Sequence, residues 1–194
     1  MHKFICISGC TASGKSSFAI ELADYFESPV IINADALQVY DCWKILTDRP
    51  TEKKIMHDLY GHVACNVNYS VGDWIKDVKN IFDLYSKNSK TFIFVGGTGL
   101  YFNALLNGLS QIPQIPEEIR DFANSCDLSF FLKGLNINDP DILEKIDTNN
   151  RRRVQRAWEV LEATGKSMLY WQSKNTSPLI SASNATLLLV ELEK

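Results

Sequence analysis

The chain has 194 residues, a formal net charge of −3, 45% hydrophobic residues and 22% charged residues. That length and balance describe one large globular domain, or one domain with an insertion, and exclude whole-chain disorder, collagen and coiled coil. No apolar run approaches the ~18 residues of a membrane span, and the N-terminal apolar stretch is too short for a signal peptide. The acidic balance argues against bulk nonspecific nucleic-acid binding but leaves room for a local basic patch. Five cysteines, at 6, 10, 42, 65 and 126, form no C-x-x-C pair. They read as reduced cytosolic thiols rather than a disulfide frame or a zinc site.

Phe4 to Ser8 is a short apolar run ending at a glycine, the pattern of a buried parallel strand. Phe18, Ala19, Leu22, Ala23 and Phe26 give helical spacing from Lys15 to Phe26. Pro29 to Ile32 is a second buried strand, Val71 to Tyr85 an amphipathic helix, and Thr91 to Val95 a third buried strand closed by Gly96-Gly97. Strands alternating with helices predict an α/β fold with a parallel sheet. After Gly108 the pattern changes. Ile112-Pro113-Gln114-Ile115-Pro116 is a stiff link. Helical stretches are predicted from Glu117 to Ser125, Leu128 to Gly134, Asp141 to Ile146 and Arg151 to Thr164. Asp139-Pro140 suits a helix start and Gly165 a C-terminal cap. Ala185 to Leu192 reads as another core strand. The expected organisation is a core over 1–112, a helical insertion over 113–180 and a returning core strand in 181–194.

Gly9-Cys10-Thr11-Ala12-Ser13-Gly14-Lys15-Ser16 satisfies G-x-x-x-x-G-K-(S/T) between a predicted strand and a predicted helix. In that context the motif is a P-loop. Backbone N–H groups and the helix N-terminus favour a polyphosphate, Lys15 supplies a point charge, and the Ser16 hydroxyl suits a Mg²⁺ ion. The third strand ends without a Walker-B acid, and the acid comes after the second strand, at Asp35. Asp35 reads either as a metal-shell or general-base carboxylate or as a cap for the turn at 36–40. Thr98 reads either as a hydroxyl reaching the phosphate site or as the cap of a helix from Leu100 to Leu106. Leu100, Tyr101 and Phe102 fit a packed core face better than a ligand pocket. Arg151-Arg152-Arg153 with Arg156 is the one dense basic run, and Arg153 and Arg156 share a helix face. His57 and His62 form no metal-ligand set with the cysteines and read as structural.

Four phrases taken together carry a resemblance: Gly9–Ser16, Asn33–Tyr40 (NADALQVY), Val95–Phe102 (VGGTGLYF) and Arg153–Val160 (RVQRAWEV). In this order, with smaller matches at 47–50, 57–59, 69–72, 139–140 and 164–166, the chain resembles the bacterial tRNA dimethylallyltransferase family over essentially its whole length. The resemblance implies an α/β, P-loop NTPase-like parallel sheet with flanking helices and a helical insertion. It implies transfer of a dimethylallyl group from dimethylallyl diphosphate to the exocyclic amine of adenine 37 in tRNA, with diphosphate released. Gly9, Cys10, Thr11, Ala12, Ser13, Gly14, Lys15 and Ser16 would then hold the diphosphate, with Mg²⁺ at Ser16. Asp35 and Thr98 would act at the reacting groups. Asp35, Ala36, Leu37, Gln38, Arg120, Arg152, Arg153, Val154, Gln155 and Arg156 would meet the tRNA. The resemblance further implies a cytoplasmic protein with no membrane partner, monomeric at full length.

The chain departs from the family at Cys10, Ala36, Asp58 and Asn150, where proline, serine, histidine and aspartate are usual. Family members also continue past the last strand with a basic segment that closes over the reaction channel. On that basis a truncated or split gene product is expected, weak as an enzyme by itself and with apolar surface exposed beside the last strand. Two rivals share the P-loop: a small-molecule kinase, which needs no arginine-rich insertion, and a prenyltransferase acting on AMP or ADP, in which the insertion is reduced. A non-catalytic diphosphate- or RNA-binding fragment is the third.

Overall fold

The computed structural model describes residues 2–50, 54–87, 89–174 and 176–191. It divides into two units, Met1–Gly108 with Ser177–Lys194, and Leu109–Thr176.

The first unit is built on five parallel strands: β1 (Lys3–Gly9), β2 (Pro29–Asn33), β3 (Met56–Asp58), β4 (Thr91–Gly96) and β5 (Ala185–Val190). Their order is β3-β2-β4-β1-β5, with helices α1 (Lys15–Ala23), α2 (Val71–Leu84) and α3 (Gly99–Asn107) flanking the sheet. This is the P-loop NTPase-like arrangement. All six residues of β4 are buried, so its side chains serve both faces. Ile93 and Val95 join Ile5, Ile7, Ile31 and the α1 residues Ala19 and Ala23 on one face. Phe92 and Phe94 join Cys6, Val30, Ile32 and the α2 and α3 residues Trp74, Val78, Tyr101 and Leu105 on the other. Trp74 stacks on Tyr101 with ring centroids 4.5 Å apart. Burial among these rings pushes the Cys6 thiol up to about 12. The start of α2 is fixed by a reciprocal cap, in which Ser70 accepts from the Asp73 N–H and Asp73 accepts from the Ser70 N–H.

Three differences from the sequence expectation have physical causes. β3 is only three half-covered residues, too short to show a strand period; its register with Val30–Ile32 makes it a strand. Among the described residues β5 is the edge of the sheet and covered on one face only: Leu188 and Val190 pack with the α1 face, whereas Leu187 and Leu189 remain exposed. A continuous apolar run looks the same whether one or both of its faces are covered. The run's last residue, Leu192, lies outside the described residues. Cys42 and Cys65, expected as thiols, are joined in a disulfide across 23 positions, while Cys6, Cys10 and Cys126 are free. Their pairing follows from the backbone bridge Tyr40–Val63 just before them, which no sequence spacing encodes.

The second unit is helical, with α4 (Glu117–Ser125), α5 (Leu128–Asn138), α6 (Pro140–Leu143), α7 (Arg151–Thr164) and α8 (Met168–Gln172). Phe131, Leu135, Ile142, Val154, Ala157 and Val160 form its core, with Phe122, Phe130 and Phe131 gathered around Trp158. α5 runs past Gly134, where the sequence suggested a stop. The absent side chain there accommodates the Trp158 ring, 3.2 Å from where a Cβ would lie. α7 starts on Asn150, whose side chain accepts from the Arg153 N–H, and ends at Gly165 in the left-handed region, φ 64°. Among the described residues no helix is long and apolar enough to cross a membrane.

Candidate functional site

The P-loop joins β1 to α1 and turns through two left-handed residues, Ala12 (φ 61°) and Gly14 (φ 83°). Gly14 is the N-cap of α1, so the loop leads straight into a helix N-terminus, a favourable site for an anion. The Lys15 Nζ lies over the loop, donating to the Cys10 carbonyl and reaching the Ser13 hydroxyl at 3.5 Å. A cavity of about 240 Å³ opens here, lined by Thr11 through Ser17, Asp35, Gln38, Leu46, Thr47, Asp48 and the end of β4. Gly9 and Cys10 face a second, apolar groove of about 550 Å³ beside β5.

Asp35 reaches this cavity because the segment after β2 is tied down by hydrogen bonds. Asn33, fully buried, accepts from the Asp35 N–H at 2.9 Å and donates its amide to Asp35 O at 2.9 Å and Leu59 O at 3.0 Å. Its own carbonyl accepts from the Trp74 indole at 2.8 Å. The Asp35 carboxylate accepts from the Leu37 N–H at 2.9 Å, which leaves the other oxygen over Gly97. Thr98 stands at the N-cap of α3 but does not cap it. Its hydroxyl accepts from the Ala36 N–H at 2.9 Å, clipping the Asp35 segment to the end of β4, and it lines neither the cavity nor the groove. Gln38 donates to Thr47 O at 2.9 Å. Leu37 is exposed, Ala36 half-buried. Tyr101 is core as expected, but Leu100 is exposed. Asn33, the first residue of the NADALQVY phrase, is not among the candidates singled out in the sequence, yet it holds the backbone of the Asp35 segment. Apart from that phrase, its signal in the sequence is that a polar residue ends a strand of otherwise apolar ones.

In the second unit, Arg152, Arg153 and Arg156 line a cavity of about 480 Å³ together with Lys145, Ile146, Met168 and Gln172. The contiguous stretch 152–156 needs correction, because helical geometry turns two of its members inward. Val154 is fully buried, and Gln155 is buried with its amide donating to Glu159 and Asn124. Arg151 is spent on structure: it donates to Gln155 Oε1 at 2.8 Å and Cys126 O at 2.7 Å, over the Phe131 ring. Arg120 is exposed on α4. His57 donates its Nδ1–H to Ile55 O at 2.8 Å and His62 meets Tyr69 and Asp77, so both have structural contacts.

The cavity at the P-loop offers hard oxygen donors, Ser16, Asp35, Thr47 and Asp48, which is the chemistry a Mg²⁺–diphosphate pair requires. The one cluster of three metal-type ligands among the described residues is Asp41, Cys42 and Cys65, and its two sulfurs are bonded to each other.

A family model described as IPP transferase matches residues 38–194. The chain is 45% identical over 193 residues to a tRNA dimethylallyltransferase of Ruegeria sp. (strain TM1040), covering 98% of this chain and 64% of the relative. It is 44% identical over 188 residues to that of Jannaschia sp. (strain CCS1), covering 95% and 63%. It thus spans less than two thirds of the length of these curated relatives. Among solved structures, a eukaryotic dimethylallyltransferase acting on tRNA superposes with a TM-score of 0.79 at 29% identity, over 98% of this chain and 48% of that one. The full-length tRNA isopentenylpyrophosphate transferase of Bacillus halodurans gives 0.52 at 30% identity, over 86% and 57%.

Proposed function

Because the chain belongs to the IPP transferase family, we propose that it carries the donor site and part of the acceptor site of an enzyme that moves a dimethylallyl group from dimethylallyl diphosphate to the exocyclic amine of adenine 37 in tRNA. The observation that supports this most is that Lys15, Ser16 and Asp35 line one cavity. An allyl transfer has to stabilise a departing diphosphate and accept a proton from a weak amine nucleophile, and these residues answer both needs.

In this reading the diphosphate rests on the backbone of Gly9 to Ser16, and Lys15 balances the charge that grows as the carbon–oxygen bond breaks. Ser16 would hold Mg²⁺, with Asp35 lining the same cavity, and when bound the ion would add charge neutralisation at the leaving group. The adenine amine attacks the allylic carbon, and Asp35 takes the proton lost from nitrogen. Thr98 and Asn33 act as positioning residues, holding the Asp35 segment through backbone contacts. The exposed Arg152 and Arg153 of α7, with the half-buried Arg156, contact tRNA phosphates, and Arg120 belongs to the same acceptor surface. The protein works in the cytoplasm as a monomer.

The test is transfer itself. With labelled dimethylallyl diphosphate, Mg²⁺ and tRNA lacking the modification, the label is expected in tRNA at adenine 37, with one diphosphate released per label. Lys15→Ala is expected to weaken diphosphate binding by about 10- to 100-fold, the worth of one charge-assisted hydrogen bond, read by calorimetry. ATP turnover without RNA, and no label transferred, would assign the P-loop to phosphoryl transfer instead.

A further inference from the structure

We propose that the Cys42–Cys65 pair is a thiol–disulfide exchange site for low-molecular-weight thiols, and that its state sets how firmly residues 44–49 are held beside the P-loop cavity. The part about the cavity rests on the diphosphate reading given above.

The argument begins with how weakly that segment is otherwise anchored. Residues 38–41 and 61–63 run side by side through three backbone bonds: Gly61 N–H to Gln38 O at 2.9 Å, Val63 N–H to Val39 O at 3.0 Å and Asp41 N–H to Val63 O at 2.9 Å. The disulfide is the next crosslink outward. Beyond Cys42 the chain coils back through Thr47 N–H to Trp43 O and Arg49 N–H to Lys44 O, at 3.0 and 3.1 Å. This brings Leu46, Thr47 and Asp48 into the wall of the P-loop cavity. Little apolar burial secures the coil, since Ile45 is 95% exposed, Leu46 74% and Trp43 40%. It is held from one side by Gln38 on Thr47 O and Arg49 on Tyr40 O. From the other side it is held by the disulfide.

Both cysteines are exposed, so the bond is open to attack, and exposed disulfides are the exchangeable ones. Asp41 Oδ1 lies 3.1 Å from Cys65 Sγ. Its carboxylate is placed to accept a hydrogen bond from Cys65 once that sulfur carries a proton. The thiolate of glutathione attacks Cys42 Sγ, the Cys42–Cys65 bond breaks, and Cys65 leaves as a thiolate that takes a proton and then donates to Asp41. A second glutathione thiolate attacks the mixed disulfide, releasing Cys42, which is protonated, and oxidised glutathione. Two electrons pass from two thiols to the protein pair. The reverse reaction, with oxidised glutathione as oxidant, restores the crosslink. In the reduced protein the coil loses one anchor and the cavity wall spends more time displaced.

The experiment equilibrates the chain with reduced or oxidised glutathione. Alkylation and peptide mass then report each cysteine, and Mg²⁺–pyrophosphate affinity is measured by calorimetry. Cys42 and Cys65 are expected to be protected from alkylation in the oxidised sample, with the peptide mass of a direct Cys42–Cys65 bond, and labelled in the reduced one, while the exposed Cys10 carries a glutathione adduct in the oxidised sample and is labelled in the reduced one. Pyrophosphate affinity is expected to fall by about three- to tenfold on reduction, the cost of ordering a loosened wall. Cys42→Ser is expected to hold the reduced value in both conditions. Trypsin cleavage after Lys44 gives a readout that needs no ligand and is expected to be faster in the reduced chain. Labelling of both cysteines in oxidised glutathione, or equal trypsin rates in the two states, overturns the proposal. If pyrophosphate binds in neither state while the thiol and trypsin results hold, the diphosphate reading fails and the exchange site stands. If pyrophosphate binds equally in both states, the coupling to the cavity is overturned.

Discussion

Around the P-loop cavity, the groups that face the opening are held by others that do not. Asp35 sits where it does because buried Asn33 fixes its backbone, the Trp74 indole fixes Asn33, and Thr98 fixes the next residue. On α7 of the second unit the order is reversed. The network of Arg151, Gln155, Glu159 and Asn124, buried at Gln155 and Glu159, shapes the helix surroundings. The outward arginines stand with few partners, Arg156 reaching Glu159 at 3.5 Å. The first arrangement suits chemistry, in which an ångström matters. The second suits contact with a flexible polyanion, in which charge matters more than exact geometry.

Substitutions break this comparison most sharply at Asp35. Asp35→Asn keeps the backbone contacts of the segment but removes the proposed proton acceptor. Turnover is expected to fall by roughly 10²–10⁴ with diphosphate affinity retained, measured by single-turnover label transfer and calorimetry. An equal loss of affinity would make Asp35 chiefly a metal-shell residue. A matched pair of asparagines measures the difference in rigidity. Asn33→Ala leaves buried partners unsatisfied and is expected to cost about 2–3 kcal/mol. Asn150→Ala, which removes only the α7 cap, is expected to cost about 1 kcal/mol. Urea unfolding of both variants gives the two values, and equal costs would remove the distinction.

Charge reversal at the exposed Arg152 and Arg153 should leave the fold intact and weaken tRNA binding regardless of sequence. The slope of log affinity against log salt should become shallower by about one for each phosphate that is no longer neutralised. Gel-shift titrations at several salt concentrations read it, and an unchanged slope would make this face a solvated surface only. The smallest effect belongs to Asp73. The Ser70 hydroxyl holds its carboxyl below the usual carboxylate range, with the Ser70 N–H and Lys76 adding to the effect against some burial. A depressed folded value contributes stability that is present above the ordinary pKa of about 3.9 and is lost as pH falls through the lower one. Asp73→Asn should therefore destabilise the first unit near neutral pH and bring its stability toward the parent's in acid. The effect is modest because the pair is solvent-exposed. Thermal melts between neutral and acid pH test it.

The predicted α4 and α7 coincide with the observed helices because their ends are written locally, in acidic first-turn residues, an asparagine cap and a left-handed glycine. The P-loop was legible for the same reason: its glycines, lysine and serine are contiguous, and the strand and helix on either side confirm them. Asp35 was legible as a candidate, but its neighbours were not. Asn33 meets Trp74 across 41 positions and Thr98 meets Ala36 across 62, distances over which periodicity carries no information.

By itself the sequence determined the P-loop, the alternation that makes the sheet parallel, and the arginine-bearing helix, since each depends on residues within one or two turns of one another. Only the tertiary structure decided that β5 is a half-bare edge, that Val154 and Gln155 face inward, and that Cys42 meets Cys65. Each of those follows from which surfaces are covered by distant parts of the chain, and burial is a property of the packed whole rather than of any local run.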